Sequence, residues 1–366
     1  MTDKCAQHLT FGSILLKAGR SEQAIKHLLL AAESQEADIR CSACFELGSA
    51  FFKIKDYDRA VVYLKELLIE RPSNEAAIAN LASVFLASGR LEESISVCED
   101  LLSLTNNRSR AGGMTLYSAL RAAGRLDEAI DRTWKLLDLT ADPIKKRLIP
   151  KSLSSNDRPL VCCVKWGCKY SGDYVNFLFR GVARNWKKEI PEFICFTDDP
   201  VGVEFPTRPL PEIEFSFFWG KAHIFDVQKD REILYLDLDT VVVGDLSKFI
   251  IKSDCLKTLR ARGLNNEAKG VPSCAVNSSV MQWRGGEEWR LVSEISSQKV
   301  RERVHRFDHW IEMCARGCIE FFNHEWVKDF VQINEGVSPE TSLIIFPGKI
   351  KPHMVEDSSI VKQHWY

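Results

Sequence analysis

The sequence contains no long run of apolar residues. A helix that crosses a bilayer needs about 20 consecutive apolar residues, and no stretch of the 366 residues meets that requirement. The opening segment, MTDKCAQHLT, also lacks the apolar core of a secretory signal. We therefore expect a cytoplasmic protein without a transmembrane segment.

An excess of either charge is also absent. The chain has 49 Lys and Arg against 50 Asp and Glu, which gives a formal net charge of -1. This balance provides no general attraction to nucleic acid or to an anionic membrane, so we expect neither as a partner. With 45% hydrophobic and 27% charged residues the chain has a globular composition, and its length suggests two or three domains.

The cysteines do not have the spacing of a zinc site. There are 12 of them, with one CxxC pair, Cys41 and Cys44, and no second pair or histidine pair follows at a suitable distance. We interpret this pair as helix packing, and Cys162 and Cys163, inside an apolar run, as strand packing. Free thiols are typical of a reducing compartment.

The first part of the chain repeats itself. Similar turn segments precede a small residue at Ala24, Ala60, Ser94 and Ala129, with spacings of 36, 34 and 35 residues. This period is typical of tetratricopeptide repeats, which are stacked helix pairs that share one core. We predict a tetratricopeptide domain of about four repeats over residues 1–141. Its surface would bind a peptide, partner chain or acceptor, or else serve as an architectural cap or dimerisation surface.

The helical periodicity ends near residue 142. Pro143 and Pro150 interrupt it, and a cluster of Ser, Asn and Asp leads to Pro159. We predict a linker over residues 142–157 and a second domain over residues 158–366. Strands alternate with helices in this second part, which indicates an α/β domain with a mostly parallel sheet.

Two carboxylates in the second domain follow a short apolar strand. Asp237 and Asp239 come directly after Ile233–Leu236. In open α/β sheets, ligands bind outside the carboxyl ends of the strands. Two carboxylates beside a phosphate-bearing ligand also suit a hard divalent cation. The sequence therefore indicates a metal and phosphate site here.

The motifs around these acids resemble a known enzyme family. Over residues 159–366 the chain is similar to GT-A fold glycosyltransferases of the glycogenin and lipopolysaccharide galactosyltransferase group. The resemblance is carried by the segments LYLDLDTVVVGDL, WGKAHIF, AVNSSVMQW and FPGKIKPH. It implies a Rossmann-like mixed sheet and a hexosyltransferase that uses a nucleotide-sugar donor, normally a UDP-sugar. It also implies Mn²⁺ (or Mg²⁺) held by Asp237 and Asp239, with Asp237 near the donor as well.

The resemblance implies roles for further residues, each matched to a family motif. Lys221 matches the basic residue that the family places beside the donor. Lys351 matches the phosphate-binding lysine of the family's Gly-x-x-Lys-Pro element. The remaining donor-binding candidates are Trp166, Tyr170, Asp198 and Ser279. The catalytic candidates are Asn277 and Asp308.

The chain departs from the family pattern at three positions. His309 follows Asp308 where the family has an amide, and Ser279 stands where glycine is usual. The family's third metal ligand, a histidine shortly before Gly348, is absent. His353 or His364 is then the candidate third ligand, and we favour His353.

Two other interpretations of the second domain stay open. A strand followed by DxDxT also describes haloacid-dehalogenase phosphohydrolases, in which Asp237 would be the nucleophile and Asp239 the acid/base. That motif normally lies on the first strand of its domain, whereas a nucleotide-sized portion precedes it here. The departures also allow a catalytically inactive repeat adaptor. An active transferase would take a glycan, protein or lipid-linked acceptor.

Overall fold

A computed structural model describes residues 2–138, 158–210, 217–226, 231–261, 273–286, 289–293, 298–335 and 337–366. The chain forms two compact units, Met1–Thr140 and Ala141–Tyr366. The predicted linker over residues 142–157 lies outside the described residues. Within the described ranges, no helix has the length and apolar character that crossing a bilayer requires.

The first unit is built of consecutive helices, each packed on the next. Its described elements are α1 (Thr2–Lys17), α2 (Ser21–Ala32), α3 (Ala37–Lys53), α4 (Tyr57–Glu70), α5 (Glu75–Ala87), α6 (Leu91–Leu104), α7 (Arg110–Ala122) and α8 (Leu126–Leu137). The predicted helical repeats are therefore confirmed.

The repeated small residues lie in the buried interior of the helical unit. Ala24, Ala60, Ser94 and Ala129 are all completely buried. The hydroxyl of Ser94 is satisfied there, because it donates a hydrogen bond of 2.8 Å to the carbonyl of Ala82. A larger side chain would push the helices apart, which explains why the sequence keeps small residues at this period.

Gly48 on α3 lies close to the side chain of Leu64 on α4. A Cβ at this position would lie 2.7 Å from Cγ of Leu64, which is fully buried. We expect Gly48→Ala to lower the free energy of unfolding by about 1–3 kcal/mol, the usual cost of overpacking a core. Urea unfolding of the variant beside Ser49→Ala, a neighbour on the same helix, measures this. A Gly48→Ala protein as stable as that control would contradict the prediction.

The second unit contains two sheets. Its strands are β1 (Leu160–Lys165), β2 (Glu192–Thr197), β3 (Thr207–Pro209), β4 (Glu232–Leu236), β5 (Val241–Val242), β6 (Leu256–Arg260), β7 (Val276–Arg284), β8 (Ile319–Phe321), β9 (Val327–Asp329) and β10 (Leu343–Ile345). The larger sheet has the order β3-β2-β1-β4-β7-β6-β8, and the smaller one has the order β5-β10-β9.

The larger sheet is mixed, which agrees with the predicted α/β fold class. Within its described strands β7 is antiparallel to both neighbours, β4 and β6, while the other pairings are parallel. Its central strands are apolar and buried, because the sheet is covered on both faces. The edge strand β3 ends at Pro209, a residue that sheets tolerate at an edge.

Helical segments connect and cover the strands. The α-helices are α9 (Gly172–Arg184), α10 (Arg290–Ser293), α11 (Gln298–Arg303), α12 (Phe307–Cys314) and α13 (Ser359–His364). Two 3₁₀ segments, Phe217–Asp226 and Pro352–Met354, carry residues that reach the candidate site. Helix α9 packs its buried face, including Val175, Leu178 and Phe179, into the same core as β1 and β4.

Candidate active site at the carboxyl edge of the larger sheet

One edge of the larger sheet gathers Asp237, Asp239 and several other polar residues predicted from the sequence. Strands β1, β2 and β4 run parallel, so the loops that follow them leave the sheet on the same side. Strand β7 runs the opposite way, and its beginning therefore lies beside the end of β4. The backbone N–H of Asp237 donates to the carbonyl of Ser279 at 2.9 Å, which joins these two segments directly.

Asp237 is the first carboxylate after β4, and it is held on two sides. The Nζ atom of Lys221 lies 2.7 Å from its Oδ1, and the hydroxyl of Tyr235 donates to the same oxygen at 2.6 Å. Burial raises the pKa of Asp237, and the Lys221 ammonium opposes this effect. The pair is therefore a partly desolvated ion pair, in which the Lys221 ammonium offsets part of the cost of burying the carboxylate charge.

Asp239 is the second carboxylate and has an equivalent arrangement. The Nζ atom of Lys351 lies 2.5 Å from its Oδ2, and the hydroxyl of Tyr170 donates to the same oxygen at 3.0 Å. Lys351 also donates to the carbonyl of Phe346 at 2.9 Å. Burial and the Asp239 charge together raise the pKa of Tyr170, so its hydroxyl stays protonated and can only donate to the carboxylate.

The candidate catalytic residues are brought together by the start of β7. Oδ1 of Asp308, in the first turn of α12, accepts a hydrogen bond of 2.9 Å from the backbone N–H of Ser278. Oδ1 of Asn277 accepts one of 2.9 Å from the N–H of Ser279. The Nζ atom of Lys221 lies 3.4 Å from both the carbonyl and the hydroxyl of Ser278. Ser278 thus links the Asp237 ion pair to Asp308.

The loops after β1 and β2 hold the nucleotide-binding candidates. Both carboxylate oxygens of Asp198 accept from the backbone N–H of Gly167, at 3.1 and 3.0 Å, so Asp198 closes the β1 loop. Trp166, which precedes Gly167 in this loop, is partly buried. The ring of Tyr170 lies 4.6 Å, centroid to centroid, from that of Tyr174 on α9. These contacts fix Tyr170 between the loop and the acids.

The two candidate histidines lie at different ends of α9. His353 forms a hydrogen bond through Nδ1 with the hydroxyl of Tyr174, whose pKa burial raises to about 12. The carbonyl of His364 accepts a hydrogen bond of 2.8 Å from Arg184. Tyr174 and Arg184 are about 15 Å apart along the helix at 1.5 Å per residue. His353 is thus the one connected, through Tyr174 and Tyr170, to Asp239.

The structure does not assemble a three-ligand metal site. Among the described residues, no three His, Cys, Asp or Glu side chains are grouped so that they could hold an ion. His353 therefore does not join Asp237 and Asp239 as a third ligand in this arrangement. Among the residues that the structure describes, the hydrogen bond with Tyr174 is what joins His353 to this network.

Sequence reasoning missed Tyr235, Ser278 and Tyr174. Tyr235 could have been found from strand geometry, because residues i and i+2 share a face and this places it beside Asp237. Ser278 contributes its backbone N–H and carbonyl, which carry no residue-specific signal, in addition to its hydroxyl. Tyr174 lies four residues from Tyr170, but only the loop geometry before α9 brings the two rings together.

Comparison with known proteins supports the repeats directly. Residues 52–116 match the tetratricopeptide repeat family model. No curated protein sequence matches the chain. Among solved structures, MamA from Desulfovibrio magneticus RS-1 is 22% identical, with a TM-score of 0.34 over 38% of this chain and 76% of that chain.

Two glycosyltransferases are also among the similar solved structures. The galactosyltransferase LgtC, in complex with donor and acceptor sugar analogs, is 12% identical, with a TM-score of 0.43 over 56% of this chain and 93% of that chain. The glycosyltransferase GlyE of Streptococcus pneumoniae TIGR4 is 13% identical, with a TM-score of 0.41 over 54% of this chain and 56% of that chain. The first unit is thus a series of helical repeats that matches the tetratricopeptide repeat model over residues 52–116, and a mixed α/β unit follows it in the same chain.

Proposed function

We propose that the second unit is a hexosyltransferase that moves a sugar from a nucleotide-sugar donor, a UDP-sugar, to a glycan, protein or lipid-linked acceptor. The observation that carries this proposal is the pairing of two strand-end carboxylates, Asp237 and Asp239, with two lysines, Lys221 and Lys351. Glycosyl transfer releases a nucleoside diphosphate, on which negative charge develops. Preorganised cations at that place stabilise the transition state.

The residues present also fit a divalent cation. Asp237 and Asp239 offer hard carboxylate oxygens, and the hydroxyl of Thr240, buried without a hydrogen-bond partner among the described residues, adds a third oxygen in the same segment. Mn²⁺ or Mg²⁺ is commonly bound by one or two carboxylates, with substrate phosphates and waters completing the shell. When bound, such an ion would offset charge on the leaving diphosphate.

The other residues around the site have separate tasks in this proposal. Lys221 and Lys351 bind phosphate oxygens as point charges. In addition, we assign Trp166, Tyr170 and Asp198 to the nucleoside and Ser279 to the sugar hydroxyls. Asn277 and Asp308 stay the proposed catalytic residues beside the reacting sugar. The hydrogen bond from Ser278 N–H to Asp308 positions that carboxylate against the start of β7.

One assay panel tests the proposal against its alternatives. The protein is incubated with several nucleotide sugars, with Mn²⁺ or with EDTA, and the release of nucleoside diphosphate is measured. We expect metal-dependent release of the nucleoside diphosphate from one donor, a UDP-sugar. Release of phosphate from simple phosphomonoesters would favour the phosphohydrolase instead. Neither release nor binding of any donor would favour an inactive repeat adaptor.

We propose that the repeats recruit the acceptor or a partner protein. The described part of the first unit contains a cleft of about 340 Å³. Polar and apolar side chains line it, among them Ser13, Phe45, Glu46, Arg71 and Asn74. A mixed lining of this kind suits a peptide, because apolar pockets supply affinity and the polar groups fix orientation.

Removal of residues 1–140 separates recruitment from chemistry. We expect the truncated protein to hydrolyse the donor within about twofold of the full chain, because the proposed donor residues all lie in the second unit. Transfer to a macromolecular acceptor should fall by about tenfold or more, since the effective concentration that a recruiting domain provides is lost. An equal loss of both activities would point to a structural role for the repeats.

A further inference from the structure

The two lysines are paired with the same two carboxylates that would hold a divalent cation. Lys221 lies on Oδ1 of Asp237 and Lys351 lies on Oδ2 of Asp239. The lysine side chains are only 12% and 11% exposed, so neither pair is a loose surface contact. Partly desolvated pairs do not separate unless each partner gains a new one. Cation and lysine therefore compete for the same carboxylates.

Each lysine is held near the site by contacts other than its carboxylate. The ammonium of Lys221 lies 5.2 Å from the centre of the Tyr235 ring and 3.4 Å from two oxygens of Ser278. Lys351 donates to the carbonyl of Phe346. A lysine on a flexible four-carbon stem can shift its charge by a few ångströms while these contacts keep it at the site.

The charges of the two carboxylates and two lysines favour binding of the cation and the nucleotide sugar together. Two carboxylates and two ammonium groups are neutral together. The diphosphate of a nucleotide sugar alone would add two negative charges to a partly buried site, and a divalent cation alone would add two positive charges. Together they keep the cluster neutral. Because unbalanced charge is costly at low dielectric, each ligand should raise the affinity for the other.

We propose that Lys221 and Lys351 form ion pairs with the two carboxylates in the free protein. When a divalent cation and the donor bind together, both lysines leave the carboxylates and contact the donor diphosphate instead. This inference rests on the proposed function. It adds that the lysines exchange partners: they compete with the cation for the carboxylates in the free protein, and they bind the nucleotide once the cation and donor are bound. Donor binding then depends on prior or simultaneous cation binding.

Binding measurements on the full chain test this exchange without any turnover. Lys351→Gln is compared with Lys349→Gln, which removes the same charge from an exposed position in the same loop. We expect Lys351→Gln to bind Mn²⁺ alone about five- to tenfold more tightly than the control, as read from the free Mn²⁺ signal in electron paramagnetic resonance. We expect it to bind UDP at saturating Mn²⁺ about tenfold more weakly in calorimetry.

Two results would overturn the exchange. One is equal Mn²⁺ affinity of Lys351→Gln and Lys349→Gln, because Lys351 would then not compete for Asp239. The other is equal UDP affinity of the wild-type protein in Mn²⁺ and in EDTA, because the lysines would then not depend on the cation. In either case donor turnover could persist, so the proposed transferase would stand. Absence of turnover with every donor would instead contradict the transferase while the Mn²⁺ comparison still holds.

Discussion

Asp239→Asn is expected to reduce metal-dependent release of UDP from the donor by at least about 100-fold. The substitution keeps the shape of the side chain but removes one of the two negative charges that would hold the cation. It also removes the ion pair with Lys351 and weakens the hydrogen bond from Tyr170. Loss of one preorganised electrostatic group at a developing charge typically costs about 100- to 1,000-fold in kcat.

Asp173→Asn provides the matched control for this variant. Asp173 is exposed in the first turn of α9, so the same chemical change there leaves the Asp239 network intact. Thermal unfolding of both variants shows whether lost activity reflects lost structure. Lys351 keeps its bond to Phe346, so we expect Asp239→Asn to stay folded. Metal-dependent release that survives in Asp239→Asn at the level of the control would refute the assignment of this carboxylate.

Gly172→Ala is expected to lower the free energy of unfolding by about 3 kcal/mol, the upper part of the usual range for overpacking. A Cβ on Gly172 would lie 2.4 Å from the carbonyl carbon of Gly202, 2.5 Å from its oxygen and 2.8 Å from the nitrogen of Val203. All three are backbone atoms, which cannot rotate away as a side chain can. The clash must therefore displace the loop after β2 or the start of α9.

The displacement would also reach the candidate site. Tyr170 lies just before α9, and Asp198 begins the loop that contains Gly202. We expect weaker UDP binding as well as a lower urea midpoint. Gly181→Ala, on the same helix, is the control, because the atoms nearest to its Cβ would be side-chain atoms, those of Val242 at 3.3 and 3.4 Å and a guanidinium nitrogen of Arg184 at 3.8 Å. Equal stability of these two variants would rule out the backbone clash.

Much of the second unit was predictable because its strands are short apolar runs bounded by polar residues. Strand β4 begins within one residue of the expected segment Ile233–Leu236 and ends at the same residue. Strand β6 was missed, since Lys257 and Arg260 interrupt its apolar pattern. The reversed direction of β7 has no local signal either, because an apolar strand reads the same whichever way it runs in a sheet.

The acids of the site were predictable, but their partners were not. Asp237 and Asp239 stand out because two charges follow a buried strand. Lys351 is 112 residues away from Asp239, and its approach depends on β10 returning beside β5. The ion pair that neutralises Asp239 is therefore a property of the tertiary fold. The Gly-x-x-Lys-Pro element identified Lys351 as a candidate, but it did not indicate which carboxylate this lysine would pair with.

These long separations affect how the protein is made. In the first unit consecutive helices pack on each other, so its contacts are local and form early. The Asp239 pair needs Lys351, and the Tyr174 hydrogen bond needs His353, 179 residues later. A ribosome adds about 5–20 residues per second, and the N-terminal part of a chain generally folds first. The repeats can therefore be complete, and could already bind a proposed partner, while the proposed donor site still lacks its second lysine.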